Sequence, residues 1–177
     1  MNREPGHLVY LCLVPDGSSD RFALRYHEAR VAVEGDCANG FDLASRPEAE
    51  PVKGEPVDFD IRKNSYVVIE LFEKFEWRYS QEFAGVVLKN KADRKFYGKL
   101  EYAESLAGPY HPKSDFPPGK AIRFLRFAAK FNKLPDGEGA KHPYCLNMEF
   151  RMNGAETWIP MSLDPDINNP PPDHGHN

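Results

Sequence analysis

The sequence predicts an all-β protein, an antiparallel β-sandwich of the Greek-key or immunoglobulin-like type with roughly seven to nine short strands and long Pro-rich loops. Two observations carry this. Period-two alternation of apolar residues recurs along the 177 residues, while helical periodicity is scarce. The 16 prolines, about twice the average usage, sit between the apolar runs instead of inside them. They mark turns between short elements.

Taken in order, "LVYLCLV" (8–14) reads as a buried strand. It is too short to span a bilayer and runs into "PDGSSD" instead of a small-residue cleavage site. Phe22, Leu24 and Tyr26 alternate, and Ala29, Val31 and Val33 follow on the opposite parity, which predicts a bulge or bend near Glu28. "NSYVVIELF" (64–72) is a β-branched, aromatic run of strand length. "FAGVVLKN" (83–90) and "KFYGKLEY" (95–102) read as a hairpin joined by the charged turn "NKADR". "AIRFLRFAAKF" (121–131) fits a helix through Ile122, Leu125 and Ala129, or a strand through Leu125, Phe127, Ala129 and Phe131. The Pro-Asp-Gly turn that follows favours a strand, paired as a hairpin with the next one. In "YCLNMEFR", Tyr144, Leu146, Met148 and Phe150 form a buried face opposite Cys145, Asn147, Glu149 and Arg151. Asn153-Gly154 is a hairpin signal. "ETWIPMSL" returns, with Pro160 marking an edge strand or a bulge. These elements predict one sandwich domain over 1–163, with 164–177 a Pro-rich, disordered tail. The segment 34–60 is expected to be a mobile surface loop.

The formal charge of -4 gives no overall attraction to nucleic acid or anionic membranes. Cys12, Cys37 and Cys145 are odd in number, with no C-x-x-C pair. They fit a reducing compartment, so the cytoplasm is expected.

Most chemical constellations fail on their residues. From Asp164, an EF-hand register places Asp164, Asp166 and Asn168 at positions one, three and five. It then puts prolines at seven and nine and Gly175 where the bidentate glutamate belongs. Asp173, His174 and His176 could chelate a metal only weakly from a flexible end. "SDFPPGKA" (114–121) lacks the first glycine and the Ser/Thr of a phosphate loop. There is no G-x-S-x-G and no H-E-x-x-H. Glu70, Glu73 and Glu76 read as a solvated acidic edge. His27, His111 and His142 are isolated, the last two beside prolines in expected loops. No catalytic residue, metal site or cofactor is therefore assigned.

Binding surfaces are the remaining candidates. The basic stretch "KNKADRKFYGK" (89–99) carries Lys89, Lys91, Arg94 and Lys95 beside Phe96 and Tyr97, a pattern suited to phosphates and stacked bases. The 108–119 loop offers Tyr110 and Phe116, with Lys120 following and Arg123 beyond it as a second charge clamp. The Pro160 edge is a candidate for strand addition.

"HPYCLNMEFRMNGAETWIPMSLDPDINNPPP" (142–172) resembles the ending of small bacterial proteins automatically labelled "nucleotide synthetase". Asp164, Pro165, Asn169, Pro170, Pro171 and Pro172 carry the likeness. It implies a compact all-β bacterial protein and transfers no active site. The expected function is a non-catalytic module that binds a protein or small ligand or self-associates, with no membrane and little prospect of nucleic acid. The alternatives are an enzyme acting on nucleotides or another phosphorylated substrate, and a nucleic-acid-binding module.

Overall fold

A computed structural model describes residues 7–16, 23–32, 47–52, 57–73, 76–132, 134, 138–152 and 154–170. Twelve strands are defined: β1 (His7–Asp16), β2 (Ala23–Ala32), β3 (Glu50–Pro51), β4 (Phe59–Asp60), β5 (Ser65–Leu71), β6 (Trp77–Tyr79), β7 (Val86–Leu88), β8 (Glu101–Ala103), β9 (Phe124–Ala129), β10 (Ala140–Phe150), β11 (Ile159–Leu163) and β12 (Asp166–Asn169). They form two sheets. The first has the order β3-β2-β1-β5-β9-β8. The second has the order β11-β10-β12-β4, with β6 and β7 on the other flank of β10. The all-β sandwich expected from the sequence is present, but both sheets are mixed. β1 runs parallel to β5, and β4 runs parallel to β12.

The central strands β1, β5 and β9 of the first sheet are buried on both faces, which explains their near-continuous apolar runs. Val9, Leu11, Leu13, Val67, Ile69 and Leu71 face the second sheet, whereas Leu8, Tyr10, Cys12, Tyr66 and Val68 pack on the opposite side. The same double burial accounts for the parity change in β2. Its pairing with β1 runs unbroken from His7↔Ala32 to Asp16↔Ala23, so no bulge exists near Glu28. Tyr26 simply serves one core and Ala29 the other.

Between the sheets lie Trp77, Tyr79, Tyr144 and Phe127, all at most 1% exposed. Buried tyrosines need partners for their hydroxyls. Tyr79 donates to the Ile69 carbonyl (2.8 Å) and Tyr144 to that of Val57 (2.8 Å). Gly85 N–H donates to the Tyr102 hydroxyl oxygen at 2.9 Å. A Cβ at Gly85 would sit 2.6 Å from Leu125 Cδ1, so this approach requires glycine.

Strand β10 keeps the alternation read from the sequence, with Tyr144, Leu146 and Met148 buried. The hairpin to β11 is formed, with Leu146↔Leu163 and Phe150↔Ile159 in register. β11 is an edge strand, as expected. Asn147 uses its backbone N–H on Gly85 and its carbonyl on Ser80, so that parity of β10 faces β6 and β7. Its cross-strand partners Ser162 and Pro160 therefore turn their backbone outward. Pro160 leaves the free edge without a donor that an added strand would use.

Four expectations need correction. The 83–102 hairpin does not form, because β7 belongs to the second sheet and β8 to the first. The charged stretch between them, poor in β-branched residues, is a 3-10 segment, Lys91–Phe96. β9 is a strand, yet it pairs with β5 and β8, not with β10. Glu70 is not a solvated edge but lies 1% exposed on β5. Finally, pairing continues past Leu163: β12 extends the same antiparallel register along β10, from Pro143↔Asp166 to Ala140↔Asn169. Asp166–Asn169 is thus a paired strand and not part of a disordered tail. The residues from Pro171 onward, including His174 and His176, lie outside the described residues, as do Cys37 and most of the expected 34–60 loop.

Candidate functional site

Where β7 and the segment leading into β8 diverge, the sandwich opens into a crevice of about 320 Å³. Ala84, Val86, Val87 and Leu88 form one side, and Tyr97, Gly98, Leu100 and Phe127 the other. Among the described residues, Arg94 is the only charged one in the lining. An apolar slot with few polar groups is the usual form of a small-molecule site.

The local sequence explains the shape. Tyr97 bridges to Ala129 on β9, and Gly98 N–H donates to the Ala128 carbonyl at 2.8 Å. A Cβ at Gly98 would lie 3.2 Å from that of Ala128, so glycine lets this strip press onto β9. The 3-10 segment then holds Arg94 at the mouth, flanked by exposed Lys91, Lys95 and Lys99. Among the described residues, Lys91, Arg94 and Lys99 make no ion pair. Lys95 sits 5.2 Å over the Phe96 ring, and Lys89 pairs with Asp164 at 3.1 Å. Lys89 and the Cys145 thiol hold the Asp164 carboxyl below its usual range. Burial pushes the Cys145 thiol up, away from the reactive thiolate. Within 89–99 Asp93 is the sole acid, so this lip is cationic on a chain of net charge -4.

Behind the crevice lies a buried polar network. Tyr97 Oη is 2.5 Å from His142 Nδ1, and Asn132 Nδ2 is 3.0 Å from His142 Nε2. Asn169 Oδ1 accepts from the Asn132 backbone N–H at 2.9 Å. Asp93 Oδ1 lies 3.8 Å from His142 Nε2. Phe96 stacks on the imidazole at 5.2 Å, and Tyr97 meets it edge-on at 5.6 Å. Burial lowers the affinity of His142 for a proton, against the pull of Asp93. Burial raises Tyr97 well above the ordinary phenol range; the Asn169 side chain works against this and Asp93 adds to it.

Of the residues singled out from the sequence, Arg94 lines the crevice, while Lys89, Lys91 and Lys95 lie on the adjoining 89–95 stretch. The other group lies elsewhere. Tyr110 is not a surface residue: it is 7% exposed, donates to the Leu106 carbonyl at 2.7 Å and lies under Arg126 on the outer face of the first sheet. Phe116 packs partly against the inter-sheet core, Lys120 pairs with Glu104, and the Arg123 carbonyl bonds Leu71 N–H. Sequence reasoning placed Tyr97 on the basic stretch as a stacking aromatic but missed its partners Asn132, His142 and Asn169. His142 could have been found by running the alternation of Tyr144, Leu146 and Met148 one step back, where it falls on the buried face.

A family model described as "Predicted novel nucleotide synthetase" matches residues 17–172. The chain belongs to that family. No curated protein matches it. The family description agrees with the nucleotide-enzyme alternative instead of the non-catalytic module expected first. Among the described residues, no helix is long and apolar enough to cross a membrane. None of them forms a group of three or more His, Cys, Asp or Glu that could hold a metal ion.

Proposed function

We propose that the protein is a nucleotide-handling enzyme and that the crevice beside β7 is its nucleotide site. The observation that carries this is Arg94, an arginine without an ion pair among the described residues, at the mouth of an otherwise apolar slot. A nucleobase has a flat apolar face that suits Tyr97, Leu100 and Phe127, and base–aromatic stacking is worth about 1–3 kcal/mol. The phosphates fall to Arg94, with Lys91, Lys95 and Lys99 adding local field. The volume is within the range of ligand pockets. The family description supplies the reaction class, formation of a nucleotide product, and supports the enzymatic reading over a passive binding module.

Calorimetric titration with nucleoside mono-, di- and triphosphates at low salt tests this, since screening weakens exposed charges. At least one nucleotide should bind. Arg94→Ala should lower its affinity about tenfold, the worth of one charge-assisted contact, with the unliganded melting temperature unchanged. A flat panel, or an affinity indifferent to Arg94, sinks the proposal.

A further inference from the structure

We propose that Asn169 and His142 are positioning residues for Tyr97, and that the Asp164–Asn169 segment is therefore a site-building element instead of a tail. This rests on the reading of the crevice as a nucleotide site. Tyr97 is both a wall of that crevice and the outermost member of the buried network. A continuous path runs inward from it: Tyr97 Oη to His142 Nδ1 (2.5 Å), His142 Nε2 to Asn132 Nδ2 (3.0 Å), Asn132 N–H to Asn169 Oδ1 (2.9 Å). These groups come from four places in the chain, so no local turn accounts for their meeting. With the Asn132 amide donating to Nε2, neutral His142 carries its proton on Nδ1 and donates it to Tyr97 Oη. The phenol oxygen is thereby anchored, and its own hydrogen remains for another acceptor.

The register supplies the reason that the C-terminal segment is involved. Ile167 lies opposite His142 and Asn169 opposite Ala140, so β12 runs alongside the histidine. Just before it, exposed Asp164 pairs with Lys89 at 3.1 Å, and at its end Asn169, 1% exposed, reaches Asn132. The segment ties down the cationic lip at one end and the back of the crevice wall at the other.

The network is also incompletely satisfied. Among the described residues, Asp93 Oδ2 and Asn169 Nδ2 are buried and have no hydrogen-bond partner. Buried polar atoms left unpaired are rare and call for an explanation. A network kept for stability alone would close on itself or be replaced by apolar side chains. One kept to hold an aromatic wall at a binding site would tolerate such loose ends.

The test uses the full chain labelled with 3-fluorotyrosine, with the fluorine resonance of Tyr97 identified by its loss in Tyr97→Phe. Asn169→Ala and His142→Gln should shift and broaden that resonance and lower nucleotide affinity about fivefold, the effect of roughly one hydrogen bond. His142→Asn, whose amide sits near the place of Nδ1, should restore both; this rescue separates positioning from general destabilisation. Arg94→Ala should weaken binding while leaving the resonance in place. If wild-type protein binds nucleotide while the Tyr97 resonance ignores the Asn169 and His142 substitutions, the positioning role is overturned and the site stands. If wild-type protein binds no nucleotide, the site reading fails and takes this role with it.

Discussion

Two buried polar networks lie on different faces of the first sheet, one on its outer face and one beside the inter-sheet core, and they are built on different principles. On the outer face of the first sheet, Arg126 sits on β9 between Glu101 on β8 and the rings of Tyr66 and Tyr110. It donates to Glu101 at 2.6 and 3.1 Å, and its guanidinium lies 4.5 Å from the Tyr110 ring centre. Nearby, Tyr10 donates to Glu70, and burial together with that bond holds the phenol far above its ordinary range. Opposite charges face one another there, so the buried cost of each is offset by its partner. Behind the crevice the groups are mostly neutral, and Asp93 Oδ2 and Asn169 Nδ2 have no partner among the described residues. The difference teaches that burial of polar residues does not by itself mark a site. What matters is whether the groups satisfy one another, and whether one of them forms the wall of a cavity.

The largest expected effect is on the first network. Arg126→Met should lower stability by about 2 kcal/mol, the loss of about 3–5 for a broken buried pair being reduced because Glu101 is partly solvated. In denaturant this appears as a lower midpoint with an unchanged slope. Nucleotide affinity should not change, because Arg126 is absent from the crevice lining. A variant as stable as wild type, or one that loses nucleotide binding, would break the contrast between a structural network and a functional one.

His142→Gln sharpens the contrast through pH. Burial holds the folded imidazole below the ordinary value of about 6.5. Above that value both folded and unfolded chains carry it neutral, and it contributes no slope. As pH falls through about 6.5, the unfolded chain takes up a proton that the folded chain refuses, so stability declines until the folded value is reached. Wild type should therefore lose stability from about pH 6.5 downward more steeply than His142→Gln. Asp93 is the acid that faces the ring and partly opposes this effect. Parallel stability–pH curves for the two proteins would show that the imidazole is not buried neutral.

How much of this was legible follows from range. The apolar strands β1 and β5, the alternation in β10 and the edge character of β11 are local patterns, and the sequence displays them. The lysines and Arg94 at the lip were equally visible, because adjacent charges need no partner to be noticed. The failures are all failures of pairing. β7 and β8 look like a hairpin, yet β7 enters one sheet and β8 the other, since Val86 and Leu88 fill the inter-sheet core beside β10. Tyr110 looked exposed because nothing local reveals Arg126 above it. Asn169 falls in the expected tail, because its partner Asn132 is 37 residues away in sequence. Double burial hid one more feature: with both faces of β2 covered, a change of parity ceases to signal a bulge.

The smallest expected effect is the most discriminating. Glu101 and Asp93 are both carboxylates beside a buried nitrogenous partner, and converting each to its amide removes one charge. Glu101→Gln takes away the charge on an oxygen that accepts two bonds from Arg126, so it should cost stability. Asp93 has one oxygen without a partner and the other 3.8 Å from His142 Nε2. Asp93→Asn should change stability by less than about 0.5 kcal/mol, because an unpaired charge gives back in relieved desolvation what it loses in attraction. It should also lower the protonation point of His142 further, since the one group favouring the imidazolium has gone. Following the His142 Cε1 resonance against pH in wild type and Asp93→Asn reads this directly. If the amide instead costs as much as Glu101→Gln, Asp93 is a fully engaged partner and the crevice network is as self-satisfied as the one around Arg126.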